Sequence, residues 1–164
     1  MIAVRNGGRE RRRARLVGFG ARVPDRIVTN DEAVSDLGVI AAQRILDDAG
    51  IAPEEVDTLI VPTASPDHLF PSPAALVAER IGAHRAAAFD LNAGCTGFVY
   101  ALAQACALVE AGIGRNVLIV GAEALSRLTG HTDRSTCILF GDAAAGALGG
   151  GLTWGSTIVR YEPR

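Results

Sequence analysis

Between residues 39 and 124 short β-branched runs alternate with alanine-rich helical stretches, and glycines close the helices. VIAAQRILDDA (39–49) sets Ile40, Arg44, Ile45 and Ala49 at helical spacing, with Gly50 as the stop. TLIVPTAS (58–65) reads as a strand, and Pro73 opens a helix that runs through Ile81 to Gly82. AAAFDL (86–91) predicts another strand, Cys95 to Ala111 a helix, and NVLIVGAEA (116–124) a wholly apolar strand. Such alternation restricts the chain to a wound α/β sheet with helices packed on it. At the ends the rhythm changes. RLVGFGARVPDRIVTN (15–30) predicts a first strand and a turn, while STCILFGDAAAGALGG and LTWGSTIVRYE read as two extended runs divided by glycines.

With 164 residues, 49% hydrophobic and 21% charged, the chain has the size of one α/β domain. The longest apolar run, Cys95 to Val109, is broken by Gln104 and closed by Glu110. It falls short of the ~18 residues that a bilayer span needs, so a buried helix is expected and no membrane partner. Residues 5–15 carry six arginines against one glutamate. No apolar segment of a signal follows, the net charge is −2, and no basic stripe with interleaved aromatics appears. Residues 1–13 are therefore expected to be a disordered basic leader, with no nucleic-acid role, ahead of a single domain over 14–164.

Three cysteines, odd in number and without a C-x-x-C pair, indicate neither a disulfide framework nor a zinc site. A reducing cytoplasm fits. His68, His84 and His131 are too scattered for a metal centre. DLNAGCTGFVYAL (90–102) puts Cys95 between glycines where a predicted strand hands over to a predicted helix. Free N–H groups and the helix dipole favour an anion there, and a thiolate is the species that attacks acyl groups. Gly94 and Gly97 would admit a thioester, while Phe98, Tyr100 and Leu102 continue a helix expected to be buried on several sides. Cys95 is thus an acyl-accepting nucleophile or a small core filler, and the local pattern leaves both open. Cys106, eleven residues on, and Cys137, in CILF, read as packing.

Taken together, separated segments resemble one family, the β-ketoacyl-acyl-carrier-protein synthase III branch of the thiolase-like condensing enzymes. DLNAGCTGFVYAL is similar to the family's active-site cysteine segment. DRSTCILFGDAAAGAL (133–148) resembles its D-R-x-T-x-x-L-F-G-D segment, and GGGLTWGSTIVR (149–160) its C-terminus. PTASPDHLFPSPA (62–74) resembles the loop before the helix that precedes the cysteine strand. The resemblance implies a thiolase-like fold, here one βαβαβαββ half plus the C-terminal strand. It implies that Cys95 takes an acyl group from acyl-coenzyme A and presents it to malonyl-acyl carrier protein in fatty-acid or polyketide assembly. Gly150 would join the cysteine N–H in the oxyanion hole, Arg134 would contact the coenzyme A nucleotide, and Phe70 would reach the partner's acyl pocket in a homodimer. No cofactor beyond the acyl-CoA substrate is implied.

Two stretches of the family pattern lack a counterpart. One falls between Asn30 and Asp31, and the other between Leu148 and Gly149, where most of the second half of the duplicated fold, with its catalytic histidine and asparagine, is absent. Acyl loading on Cys95 is therefore expected more than full condensation, with a catalytically silent interaction partner or a thioester hydrolase as rivals. Uncovered apolar faces are expected where the missing half would sit. Ala143 and Ala145 stand where the family has glycines. His131 is a candidate substitute base. Asp142 and Glu123 read as capping or orienting residues in preference to an acid/base pair, and Asp25, Asp31, Glu32 and Asp36 as solvated surface.

Overall fold

The computed structural model describes residues 15–22, 33–130, 132, 140–150 and 154–156. The leader, Arg134, His131, Cys137 and the acidic residues 25, 31 and 32 lie outside them. Nine elements follow in order: β1 (Arg15–Arg22), α1 (Val34–Ala49), β2 (Thr58–Pro62), α2 (Pro73–Ile81), β3 (Ala87–Leu91), α3 (Gly97–Ala111), β4 (Asn116–Ala124), β5 (Asp142–Gly150) and β6 (Trp154–Ser156). This is the expected βαβαβαββ order followed by the expected C-terminal strand, here the short β6. They form one sheet in the order β1-β6-β5-β4-β2-β3, with β1 also paired to β5. β2 runs parallel to β3 and β4, while β5 is antiparallel to β4 and β1.

The wholly apolar strands are explained by helices on both faces of the sheet. Along β4, Leu118 and Val120 join the core under α1 and α2, built with Leu37, Ile45, Leu59 and Val77. The alternate residues Val117 and Ile119 join Ile60 beneath Ala101, Ala105 and Val109 of α3. A period of two thus supplies both cores from one strand. Gly50, Gly82 and Gly112 each close a helix in the left-handed conformation, at the three positions where the helical patterns end.

Helix α1 starts five residues before the periodic pattern does. Its first N–H groups find an acceptor far away in sequence: Asp67, in the β2–α2 loop, accepts from Val34 N–H at 2.5 Å and Ser35 N–H at 2.9 Å. Asp36 adds a local acceptor for Ala33 N–H at 2.9 Å. It was expected as solvated surface, and its side chain is 41% exposed while pairing with Arg80 at 2.7 Å. Burial pushes its carboxyl up, but the Ala33 bond and the guanidinium outweigh this and hold it below the usual value.

Helix α3 is not buried on several sides. Only Gly97, Ala101, Ala105 and Val109 are buried. Val99 is 66% exposed and Tyr100 58%, because no element covers the face away from the sheet among the described residues. With the preceding 3₁₀ turn the segment Gly94–Ala111 reaches 18 residues at mean hydropathy 1.3, long and apolar enough to cross a bilayer by length and composition. That differs from the shorter run read from sequence. One stripe of it serves as the lid of the smaller core.

A carboxylate also holds α2 in place. Asp90 on β3 accepts from Ala74 N–H at 2.9 Å in the first turn of that helix. Burial pushes the Asp90 carboxyl above its ordinary value, the Ala74 bond opposes this, and the nearby charge of Asp67 reinforces it. The folded chain therefore holds this proton more tightly than the unfolded one. Its contribution to stability is fully present below the ordinary value of 3.8 and is lost as pH rises through the raised folded value. Asp90→Asn keeps an acceptor for Ala74 but removes the charge. Urea midpoints should show the variant gaining on the parent as pH rises above 3.8, and a difference that stays constant with pH would refute the assignment.

Candidate active site around Cys95

The parallel strands β2 and β3 and the central β4 end at the same edge of the sheet, since Pro62 pairs with Leu91 and the start of β2 with the start of β4. Loops leaving that edge build the site. From Leu91 the chain turns through Asn92 and Ala93 into a 3₁₀ turn, Gly94–Thr96, which leads directly into α3. Gly94 makes the turn at φ +53°, where a side chain would be strained although nothing lies within 4 Å of its Cβ position. Thr96 secures the turn by donating its hydroxyl to Ala93 O at 2.8 Å. Gly97 then lets α3 approach β2, since a Cβ there would sit 3.1 Å from Pro62.

Cys95 is exposed. It lines a cavity of about 460 Å³ whose walls come from Pro62, Phe98, Leu125 and the start of β5. The walls are mainly apolar and include Phe140, with two carboxylates, Glu123 and Asp142, at the strand ends. Both carboxylates already serve the backbone. Asp142 accepts from Ser126 N–H at 2.9 Å and Ser126 Oγ, which sets the turn after β4 as its sequence position suggests. Glu123 accepts from Ala64 N–H at 2.8 Å and from Ser65 Oγ, and lies 3.5 Å from Thr63 Oγ1. Glu123 thus orients backbone as its sequence reading expects, but its hydroxyl partners were not foreseen. Its sequence signal is a lone carboxylate in an apolar strand, with hydroxyl residues some sixty positions earlier that only the fold brings beside it.

The other candidates fall elsewhere. Gly150 is not brought to Cys95: it pairs with Asn116 and Arg15, at the opposite end of β5 from Asp142. Eight residue steps along the strand separate these ends, about 27 Å at 3.4 Å each. The cause is the ladder itself. β5 runs unbroken through Leu148 and Gly149, and β4 and β1 offer partners along that whole length. Phe70, 91% exposed beside Leu69 at 96%, lies in the β2–α2 loop and is not part of the cavity wall. His68 is exposed, and His84 lies on the surface 3.0 Å from Glu79. Cys106 is part-buried, and burial with the charge of Glu110 raises its thiol above the usual value, in keeping with a packing role. No cluster of three or more metal-ligating side chains occurs among the described residues.

Comparison with known proteins adds to this geometry. Residues 89–153, which include Cys95, match the family model of 3-oxoacyl-[acyl-carrier-protein (ACP)] synthase III. A β-ketoacyl-[acyl-carrier-protein] synthase III of Desulfitobacterium hafniense is 43% identical over 161 positions, covering 81% of this chain and 49% of the relative. Since 81% of 164 residues is about 133, some 28 of those positions have no counterpart here, which fits an internal gap. The solved β-ketoacyl-[acyl carrier protein] synthase III of Thermus thermophilus matches with a TM-score of 0.77 at 43% identity, over 83% of this chain and 51% of that one. The priming β-ketosynthase of the R1128 polyketide pathway matches with a TM-score of 0.83 at 33% identity, over 89% and 53%. The chain spans about half the length of the relatives it matches. In sequence and in fold it is a relative of the β-ketoacyl-[acyl-carrier-protein] synthase III family, shortened internally and built on the same thiolase-like α/β sheet.

Proposed function

We propose that this chain is an acyltransferase of the β-ketoacyl-acyl-carrier-protein synthase III type, which takes an acyl group from acyl-coenzyme A onto Cys95. The observation that carries this is an exposed cysteine lining a largely apolar cavity, on the 3₁₀ turn that opens α3. A thioester carbonyl can reach the sulfur from solvent while its alkyl part lies against Pro62, Phe98 and Leu125. Attack by the thiolate expels the coenzyme A thiolate and leaves an acyl-enzyme thioester. Condensation with malonyl-acyl carrier protein is a further step, for which the family's histidine and asparagine have no match in this sequence.

Intact-protein mass after incubation with acetyl-coenzyme A tests the reading. One acetyl adduct is expected on the parent chain and none on Cys95→Ala. Absence of an adduct from folded parent protein would leave the silent-partner reading. The distance of Gly150 from Cys95 is a specific observation in that reading's favour, because a paired oxyanion donor is worth about 3 to 4 kcal/mol.

The working unit we propose is a cytoplasmic homodimer, with acyl carrier protein as its second partner. Among the described residues β3 is an edge strand, and Leu69 and Phe70 project from the β2–α2 loop. An apolar pair of this kind is suited to insertion into another copy. Sedimentation of Phe70→Asp should show a shift toward monomer, and an unchanged profile would remove Phe70 from the interface.

A further inference from the structure

We infer that Glu123 is a positioning residue for the Cys95 cavity, acting through the Thr63–Ser65 segment that leaves β2. Thr63 and Ser65 are buried, so their hydroxyls depend on protein partners. Ser65 Oγ donates to Glu123 and accepts from Ala124 N–H at 2.9 Å. Ser65 N–H in turn donates to Thr63 Oγ1 at 3.1 Å, and Thr63 N–H to Leu91 O at 3.2 Å, at the strand end that leads into the Cys95 turn. With Ala64 N–H on its other oxygen, the Glu123 carboxylate joins the ends of β2, β3 and β4. Glu123 lines the same cavity as Cys95. It therefore sets both the wall of the cavity and the point from which the loop bearing Leu69 and Phe70 departs, and so limits the size of the group that reaches the sulfur.

This rests on Cys95 as the reacting atom, but the test needs only its thiol. Labelling of Cys95 by iodoacetamide and by a pyrene maleimide is followed by peptide mass, so that other cysteines do not contribute. In Glu123→Ala the ratio of bulky to small labelling should rise about five-fold or more, as the acceptor and the wall are lost together. Glu123→Gln, which keeps an oxygen for Ala64 N–H, should restore part of the parent ratio. Val77→Ala, a buried truncation under the other face, should lower the melting temperature and leave the ratio unchanged. If Glu123→Ala does not fold, Glu123→Gln and Ser65→Ala replace it, each with a smaller rise expected. A ratio equal to the parent's in folded variants overturns the inference, whatever happens to stability. The acetyl-adduct assay is scored separately, so failure of acyl transfer and failure of positioning are distinguishable.

Discussion

Gly146→Ala should abolish or severely weaken the fold. Gly146 lies in the middle of β5, opposite Val120, with α1 directly above it. A Cβ there would collide with the carbonyl oxygen of Ile119, stand 2.8 Å from Ile45 Cδ1 and 3.0 Å from Val120 Cα. Two of these atoms are backbone in a central strand paired on both sides, and Ile45 is fully buried, so none has room to yield. Overpacking usually costs 1 to 3 kcal/mol, and with backbone on two sides the loss here should reach about 4 kcal/mol. For a domain of this size that lowers the melting temperature by on the order of 10 °C. Gly130→Ala is the control, since nothing lies within 4 Å of its Cβ position, and a change under about 0.5 kcal/mol is expected. Equal melting curves for Gly146→Ala and the parent would contradict the packing of α1 on β5.

Asp67→Ala should be the most damaging loss of a single polar group. Its side chain is 4% exposed, and its carboxylate is the acceptor for both Val34 and Ser35 N–H. Arg127 at 3.7 Å adds a partly exposed ion pair of small value. Alanine leaves two helix-terminal N–H groups without their acceptor, at a combined cost of about 2 to 3 kcal/mol by cap and charged-bond scales. Asp67→Asn offers one oxygen in place of two and should fall between alanine and the parent. Chemical denaturation gives the magnitude. The asparagine variant has a second signature, because Asp67 helps to raise the Asp90 carboxyl. Removing that charge should bring the Asp90 titration nearer its ordinary value, as followed by carbonyl NMR. An alanine variant as stable as the parent would mean that α1 starts without this cap.

Strand and helix identities were legible because they follow from neighbours in sequence. The burial period of two in β4, the α2 stretch from Pro73 to Ile81 and the glycines after each helix depend on local torsion and on the side of the element that meets the core. The cysteine turn was legible for the same reason, since Gly94, Cys95 and Gly97 occupy one short junction. Contacts across the fold were not legible. Asp67 caps a helix that begins 33 residues earlier, and Glu123 meets hydroxyls 58 and 60 residues away. Neither spacing has a period that could announce it. Gly150 shows the converse: a motif read as a site residue is drawn into a strand ladder, where unpaired backbone groups beside β4 and β1 outweigh any local pattern.

What the sequence by itself determined is the order of elements, the two-faced strands and a thiol between glycines at a strand-to-helix junction. All of these are set by torsional preference and by the period of burial within single segments. Tertiary structure alone decided that the open face falls on α3, which distant groups the two carboxylates hold beside the cavity, and that Gly150 lies at the end of β5 away from it. These depend on which surfaces and hydrogen-bonding groups find partners once the strands are side by side, a condition of the whole sheet that no single segment contains.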